Sequence, residues 1–244
     1  MKKFLLIVCL SVFFTASFSQ GYKIKGEIKN MQDTTAILAY YFGGKQYATD
    51  TTDVVKGKLT FSGDKELEGG IYLVVLPGGK YFELIISEQK FSFTTDKNDL
   101  VASMNFKNSR ENTAFYQYLN FISVQQQKVA PLKEKLSSAK EDEKKKIQKE
   151  INEVDNTVRD YREDFQSRYK DVFFSKIISA TTDIVIPETP LDSTGKPKEN
   201  FSFYYFKNHF WDNMDFSDKR MLRTPVFFNK MDKYLEKLSP KHPD

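Results

Sequence analysis

Two hydrophobic periods meet near Asn108, and the change between them limits what the chain can build. Before it, apolar and polar residues alternate in short runs broken by glycine. After it, apolar residues recur at steps of three and four in a charged background. Alternation suits strands with one buried face, and steps of three and four suit helices. The chain is therefore expected to be α+β: an N-terminal antiparallel β-sandwich, then an all-α domain with a long antiparallel helical hairpin.

The strand half begins at residues 22–28, Tyr-Lys-Ile-Lys-Gly-Glu-Ile, a clean alternation. Runs at 35–42, 47–55, 58–61, 71–76, 81–86 and 90–95 follow, parted by Gly43-Gly44, Lys56-Gly57, Gly69-Gly70, Pro77-Gly78-Gly79 and Ser87-Glu88-Gln89. Short strands spaced by turn signals are the pattern of a sandwich or barrel. No helical stretch parts them, so the pairing should be largely antiparallel. Lys56-Gly57 reads as a tight turn that folds 58–61 back on 47–55 as a hairpin.

The helical half opens at Asn108, which is expected to cap a helix with Glu111 reaching back as in a capping box. Pro131 should kink or split that helix. Ile147, Ile151, Val154, Val158, Tyr161, Phe165, Tyr169 and Val172 then form a seam. The hairpin should turn near residues 137–142, with a parallel coiled-coil dimer as the alternative. Residues 128–176 carry 13 basic and 11 acidic residues, interspersed, which reads as a solvated helix surface. Residues 186–200, with three prolines, read as a loop. Residues 201–211 hold seven aromatics, apolar nearly all round, and are expected to be a buried helix. Thr224-Pro225 starts a last helix whose buried face is Val226, Phe227, Met231, Tyr234, Leu235 and Leu238.

Residues 1–19 read as a secretory signal peptide: Lys2 and Lys3, an apolar stretch at 4–14, then Ser17-Phe18-Ser19 before the cut. A span would need roughly 20 apolar residues. Cys9, the only cysteine, falls inside this segment, so the exported chain would have neither a thiol nor a disulfide. Without Lys2 and Lys3 there are 35 basic against 33 acidic residues, too even to favour nucleic acid or an anionic membrane. The expected organisation is a signal at 1–19, a β domain at 20–104, a helical domain at 105–239 and a tail or linker at 240–244. The expected location is the periplasm or cell envelope, with no membrane span after cleavage.

No constellation for catalysis stands out. Only two histidines exist, and His242 lies in the tail. His209, Asp212, Asp215 and Asp218 are weak candidates for metal ligands, but the spacing is not that of a calcium loop. The competing reading has Asp215 or Asp218 capping a turn and His209 sitting at a core boundary. No cofactor is expected. Tyr40, Tyr41, Phe42, Tyr47 and Tyr72 offer a possible sugar-binding face, with core packing as the rival reading.

Residues 21–28, Thr49-Asp50-Thr51 and residues 57–63 resemble the N-terminal β domain of exported thioredoxin-like proteins in Bacteroidota. Residues 105–112 with Phe115 are similar to that family's joining segment. Residues 212–218 and Leu222-Arg223-Thr224-Pro225 are similar to its following helical domain. In that family Pro-Asp, here Pro243-Asp244, leads into a thioredoxin fold carrying Cys-x-x-Cys. This sequence has no such fold, so the resemblance carries thiol–disulfide activity onto no residue. It implies a naturally short paralogue, a product cut by an early stop, or an excised piece. The expected function is a non-catalytic binding or scaffold module with a protein partner or envelope ligand. The alternatives are a metal-assisted enzyme built on the His209 cluster, or a fragment of a thiol–disulfide oxidoreductase.

Overall fold

A computed structural model describes residues 21–239. The expected signal at residues 1–19, with Cys9, and the expected tail at residues 240–244, with His242, Pro243 and Asp244, lie outside the described residues. Among the described residues, strands form two four-stranded sheets over a shared core. One sheet has the order β4 (Lys58–Gly63), β1 (Tyr22–Lys29), β7 (Lys90–Asp96), β8 (Asn105–Lys107). The other has the order β3 (Lys45–Val54), β2 (Thr34–Phe42), β5 (Gly70–Val75), β6 (Tyr81–Ile86).

The alternation in β1 sends Ile24, Gly26 and Ile28 inward and leaves Lys23, Lys25, Glu27 and Lys29 exposed. Leu59, Phe61, Phe91 and Phe93 join them from the same sheet. Leu38, Val74, Phe82, Leu84 and Ile86 face them from the other. Phe82 and Phe93 meet edge to face with centroids 5.2 Å apart. Burying each such ring contributes about 1.5–3 kcal/mol. Gly26 makes room for this contact, because a Cβ there would fall on the ring of Phe93.

Pairing is antiparallel in every ladder but one. β1 and β7 run parallel, Lys23 opposite Lys90 through Lys29 opposite Asp96. A parallel pair needs a long crossover, and the strands between them supply it by visiting the second sheet. The expected hairpin at Lys56-Gly57 is corrected. Both residues have positive φ, 51° and 76°, and Val55 and Lys58 exchange one pair of backbone bonds. The ladder stops there, because β4 crosses to the other sheet and pairs with β1.

Beyond β8 the chain enters α1 (Arg110–Ser138), turns through Ala139-Lys140 and returns as α2 (Glu141–Arg168). The antiparallel hairpin is as expected, but the expected cap is corrected. Asn108 adopts φ 62°, in the left-handed region, and the cap is Ser109, whose Oγ accepts the Asn112 N–H. Pro131 does not split α1, which runs on for two more turns; the cost there is one lost backbone bond. Of the α2 seam, Ile147, Ile151 and Phe165 are buried, while Val154, Val158 and Tyr161 are half-buried. Three shorter helices follow: α3 (Phe173–Ala180), α4 (Phe201–His209) and α5 (Pro225–Lys233). Residues 186–200 form the expected loop, tightened by Asp192, whose Oδ1 accepts from the Thr194 and Lys196 N–H groups.

The aromatic segment is the clearest correction. α4 has no fully buried residue; only Phe210, just past its end, is buried. Phe203 and Tyr204 are 45% and 57% exposed. α5 starts as expected, with the Thr224 Oγ1 accepting from the Phe227 N–H and Pro225 at its first position. Leu235, expected on its buried face, is exposed, whereas Leu238 is buried.

α1 covers the free edge of β6. The Ile85 N–H donates to Asn112 Oδ1 and Asn112 Nδ2 donates to the Ile85 carbonyl, each at 2.8 Å. The Tyr116 hydroxyl donates to the Glu83 carbonyl at 2.8 Å. The Asn112 amide thus stands where a neighbouring strand's peptide would stand, and it is fully buried. Asn112→Ala leaves two buried backbone groups of Ile85 unpaired and is expected to cost about 2–4 kcal/mol. Urea unfolding checks this; a loss under about 1 kcal/mol would mean water replaces the amide.

Candidate functional site

The most developed polar cluster lies where α1, α3, the β6–β7 turn and the Lys219–Arg223 turn converge. Glu111, in the first turn of α1, is buried. Its Oε2 accepts the Phe173 N–H and its Oε1 the Phe174 N–H, both at 2.8 Å. These are the first two amides of α3, which has no capping side chain of its own. The carboxylate supplies that cap and meets the positive end of the helix dipole. Ser87 Oγ donates to Glu111 Oε2 at 3.0 Å and accepts from an Arg220 guanidinium nitrogen at 2.9 Å.

From Arg220 the network continues outward. Its Nε and one terminal nitrogen grip Asp218 in a two-point contact, at 2.9 and 2.6 Å. The guanidinium also lies over the Phe173 ring, 4.4 Å from its centroid. Lys176 Nζ sits between Asp215 and Asp218, 2.8 Å from each. Nearby, Glu88 holds the α1 terminus by accepting from Ser109 Oγ and the Glu111 N–H. Gly70, at φ 147°, lets the backbone approach Arg223, whose Cβ occupies the place a Gly70 side chain would need.

Electrostatics follow from this wiring. Burial pushes the Glu111 carboxyl above the ordinary glutamate value, and the Phe174 and Phe173 amides and Ser87 pull it partly back. Asp218 is held well below the ordinary aspartate value, first by Arg220 and then by Lys176. Asp215 is lowered to about 2, first by Lys176 and then by Ser217.

The four predicted ligands are therefore divided. Asp215 and Asp218 come together, but around the Lys176 ammonium. His209 and Asp212 form a separate pair, Nδ1 to Oδ2 at 2.6 Å, with His209 against the Tyr205 ring. Among the described residues no group of three or more His, Cys, Asp or Glu is arranged to hold a metal ion. Asp218 accepts the Arg220 N–H and caps the Lys219–Arg223 turn, and Asp215 accepts from the Ser217 N–H and hydroxyl, as the turn-capping reading anticipates.

The sandwich aromatics are divided: Phe42 and Tyr47 are exposed, and the other three are held by neighbours. Tyr72 is buried, Tyr40 lies against both Tyr47 and Tyr72, and the Tyr41 hydroxyl donates to Glu83. Arg223 lies over Tyr40 and Phe42 and pairs with Glu68. Sequence reasoning missed Glu111, Asn112 and Arg220 as the joining residues. The signal was present: Glu111 and Asn112 occupy the same first turn that buries Ala114 and Phe115, where polar groups persist only with partners.

Acid stability reports on the cluster. Asp215 and Asp218 ionise below the unfolded value of 3.8, so their contribution is complete above that pH and is lost as pH falls through the folded values. Glu111 has the opposite sign: its raised pKa makes acidification favour the folded chain until the aspartates are reached. Asp218→Asn is expected to cost about 1–2 kcal/mol at pH 7. It should also flatten the fall in stability between pH 4 and 2, read by urea unfolding at each pH. An unchanged acid limb would remove Asp218 from this account.

Residues 22–115 match the family described as Domain of unknown function (DUF4369). Residues 135–244 match the family described as Domain of unknown function (DUF5106). Neither a curated protein nor a solved structure matches the chain. The first match takes in every strand together with Glu111 and Asn112, and the second takes in Phe173, Lys176, Asp218 and Arg220. Two domains of unknown function thus match residues 22–115 and 135–244, and the cluster at Glu111 joins the two matched regions.

Proposed function

We propose that this protein is a non-catalytic, exported binding or scaffold module that presents an aromatic surface to a protein partner. The observation that carries the reading is the exposed face of α4. Phe203 and Tyr204 touch each other edge to face, with centroids 5.4 Å apart, and lie open to solvent. Phe216, in the following loop, is 65% exposed. Exposed aromatics in one segment mark interaction sites more often than chance surface, and aromatic anchors dominate binding energy at interfaces.

The polar groups support the same reading by a different route. Asp215, Asp218, Lys176, Arg220 and Glu111 satisfy one another, so the best-built cluster spends its charge on joining two domains. The resemblance to exported thioredoxin-like proteins of Bacteroidota supplies the setting: a cell-envelope protein whose chemistry belongs to another polypeptide or domain. Among the described residues no helix is long and apolar enough to cross a membrane.

Phe203→Ser combined with Tyr204→Ser tests the assignment. The protein is expected to bind a washed cell-envelope fraction saturably, and the double variant to bind at least about tenfold more weakly with an unchanged melting temperature. Equal binding by the variant would overturn the reading. So would stoichiometric metal in the purified protein that Asp215→Ala removes, which would assign a metal-assisted enzyme. Reduction of insulin by the chain alone would assign an oxidoreductase.

A further inference from the structure

The two sheets are dressed differently on their outer sides. β5 is buried on both faces from Gly70 to Val74, because the Lys219–Arg223 turn packs over it. Among the described residues, the outer side of the other sheet has no such cover. Alternate residues of β1 and β4 remain exposed there. That side forms a shallow depression with a cavity volume of about 540 Å³.

Register places its residues in two rows across the four strands. In the first, Lys25 lies between Thr60 and Ser92, and Ser92 faces Lys107. In the second, Glu27 lies between Lys58 and Thr94, and Thr94 faces Asn105. Lys23 extends the face one step along β1. Neighbouring strands are about 4.8 Å apart, so over an area several sugar rings wide the first row alternates hydroxyls and lysines, while the second runs Lys58, Glu27, Thr94, Asn105.

The charge here is not consumed. Arg220, Arg223, Lys176, Arg168 and Arg110 each meet a carboxylate. Among the described residues Lys23, Lys25, Lys58 and Lys107 enter no such pair, and Glu27 is the one acidic side chain in the two rows. The two rows hold three lysines against one glutamate, with Lys23 beside them, so this sheet face carries a net positive charge.

We infer that this face binds an anionic polysaccharide, one bearing carboxylate or sulfate groups along an extended chain. The lysines supply charge complementarity, and Thr60, Ser92, Thr94 and Asn105 supply donors and acceptors for ring hydroxyls. The occupant is not a single-stranded nucleic acid, because the rings at the depression, Phe93 and Phe106, turn inward to Phe82 and Tyr116 and leave no platform for bases. It is not a membrane, because the face offers no exposed apolar group to insert. The site is separate from α4 and goes beyond the partner-binding role.

Titration calorimetry of the full chain with polygalacturonate tests the inference, against neutral dextran, single-stranded DNA and anionic phospholipid vesicles. Polygalacturonate is expected to bind, more weakly as salt rises, and dextran not to bind. Lys25→Gln with Lys58→Gln and Lys107→Gln should lower affinity at least about tenfold. Arginine at the same three positions should keep it within about threefold. Lys133→Gln with Lys146→Gln and Lys149→Gln removes equal charge from the hairpin and should leave binding unchanged. The inference fails if polygalacturonate does not bind, if both glutamine sets weaken it equally, or if DNA or vesicles bind as tightly. Phe203→Ser with Tyr204→Ser should not affect polygalacturonate, so the two surfaces are judged apart.

Discussion

An ionised carboxyl loses several kcal/mol on leaving water unless donors replace the solvent. Glu111 receives three such donors: the two adjacent amides that open α3 and the hydroxyl of Ser87. They come from two distant segments of the chain, so the carboxylate is satisfied only when α1, α3 and the β6–β7 turn are all in place. Arg220 then adds the Lys219–Arg223 turn through Ser87. The arrangement converts a solvation requirement into a geometric one. Asn112, one residue on, does the same for the edge of β6. Two adjacent side chains in one helical turn thereby orient the helical domain on the sandwich.

Charge is used in two ways in this molecule. At the joint, cations and anions alternate within hydrogen-bond distance and neutralise one another. On the uncovered sheet, lysines stand beside hydroxyls and amides with little opposing charge. Apolar surface divides similarly: the rings of Phe115, Tyr118, Phe165 and Phe174 interlock between the helices, while Phe203 and Tyr204 remain outside. Even net charge and ordinary hydrophobic content conceal both divisions, because a composition has no faces.

The strands, the hairpin and the cap at Thr224 were legible because each depends on a local pattern: a period of two, a seam of threes and fours, a Thr-Pro start. Which strands pair was less so. Lys56-Gly57 does form its tight turn, but whether the ladder continues is decided by β1, which competes for β4 from far away in the chain. The Glu111 expectation failed for a related reason. A capping box is a local reading, and the α3 amides, more than sixty residues downstream, offer the carboxylate a partner that no local window contains. Burial of α4 does not follow from its all-round apolarity, because an aromatic helix with one wet face satisfies the same pattern. The candidate ligands at 209–218 kept their turn-forming role, since Lys176, remote in sequence, claims the two aspartates.

The parallel pairing of β1 with β7 has a consequence for how the molecule is made. Lys23 lies opposite Lys90, so the amino-terminal strand has one flank unfilled until nearly seventy more residues have been synthesised. Contacts so distant in sequence slow the search for the native state, and an unfilled flank is open to mispairing meanwhile. The parallel ladder therefore cannot be completed before residue 96 exists, and a ribosome that released the chain earlier would release it unfinished.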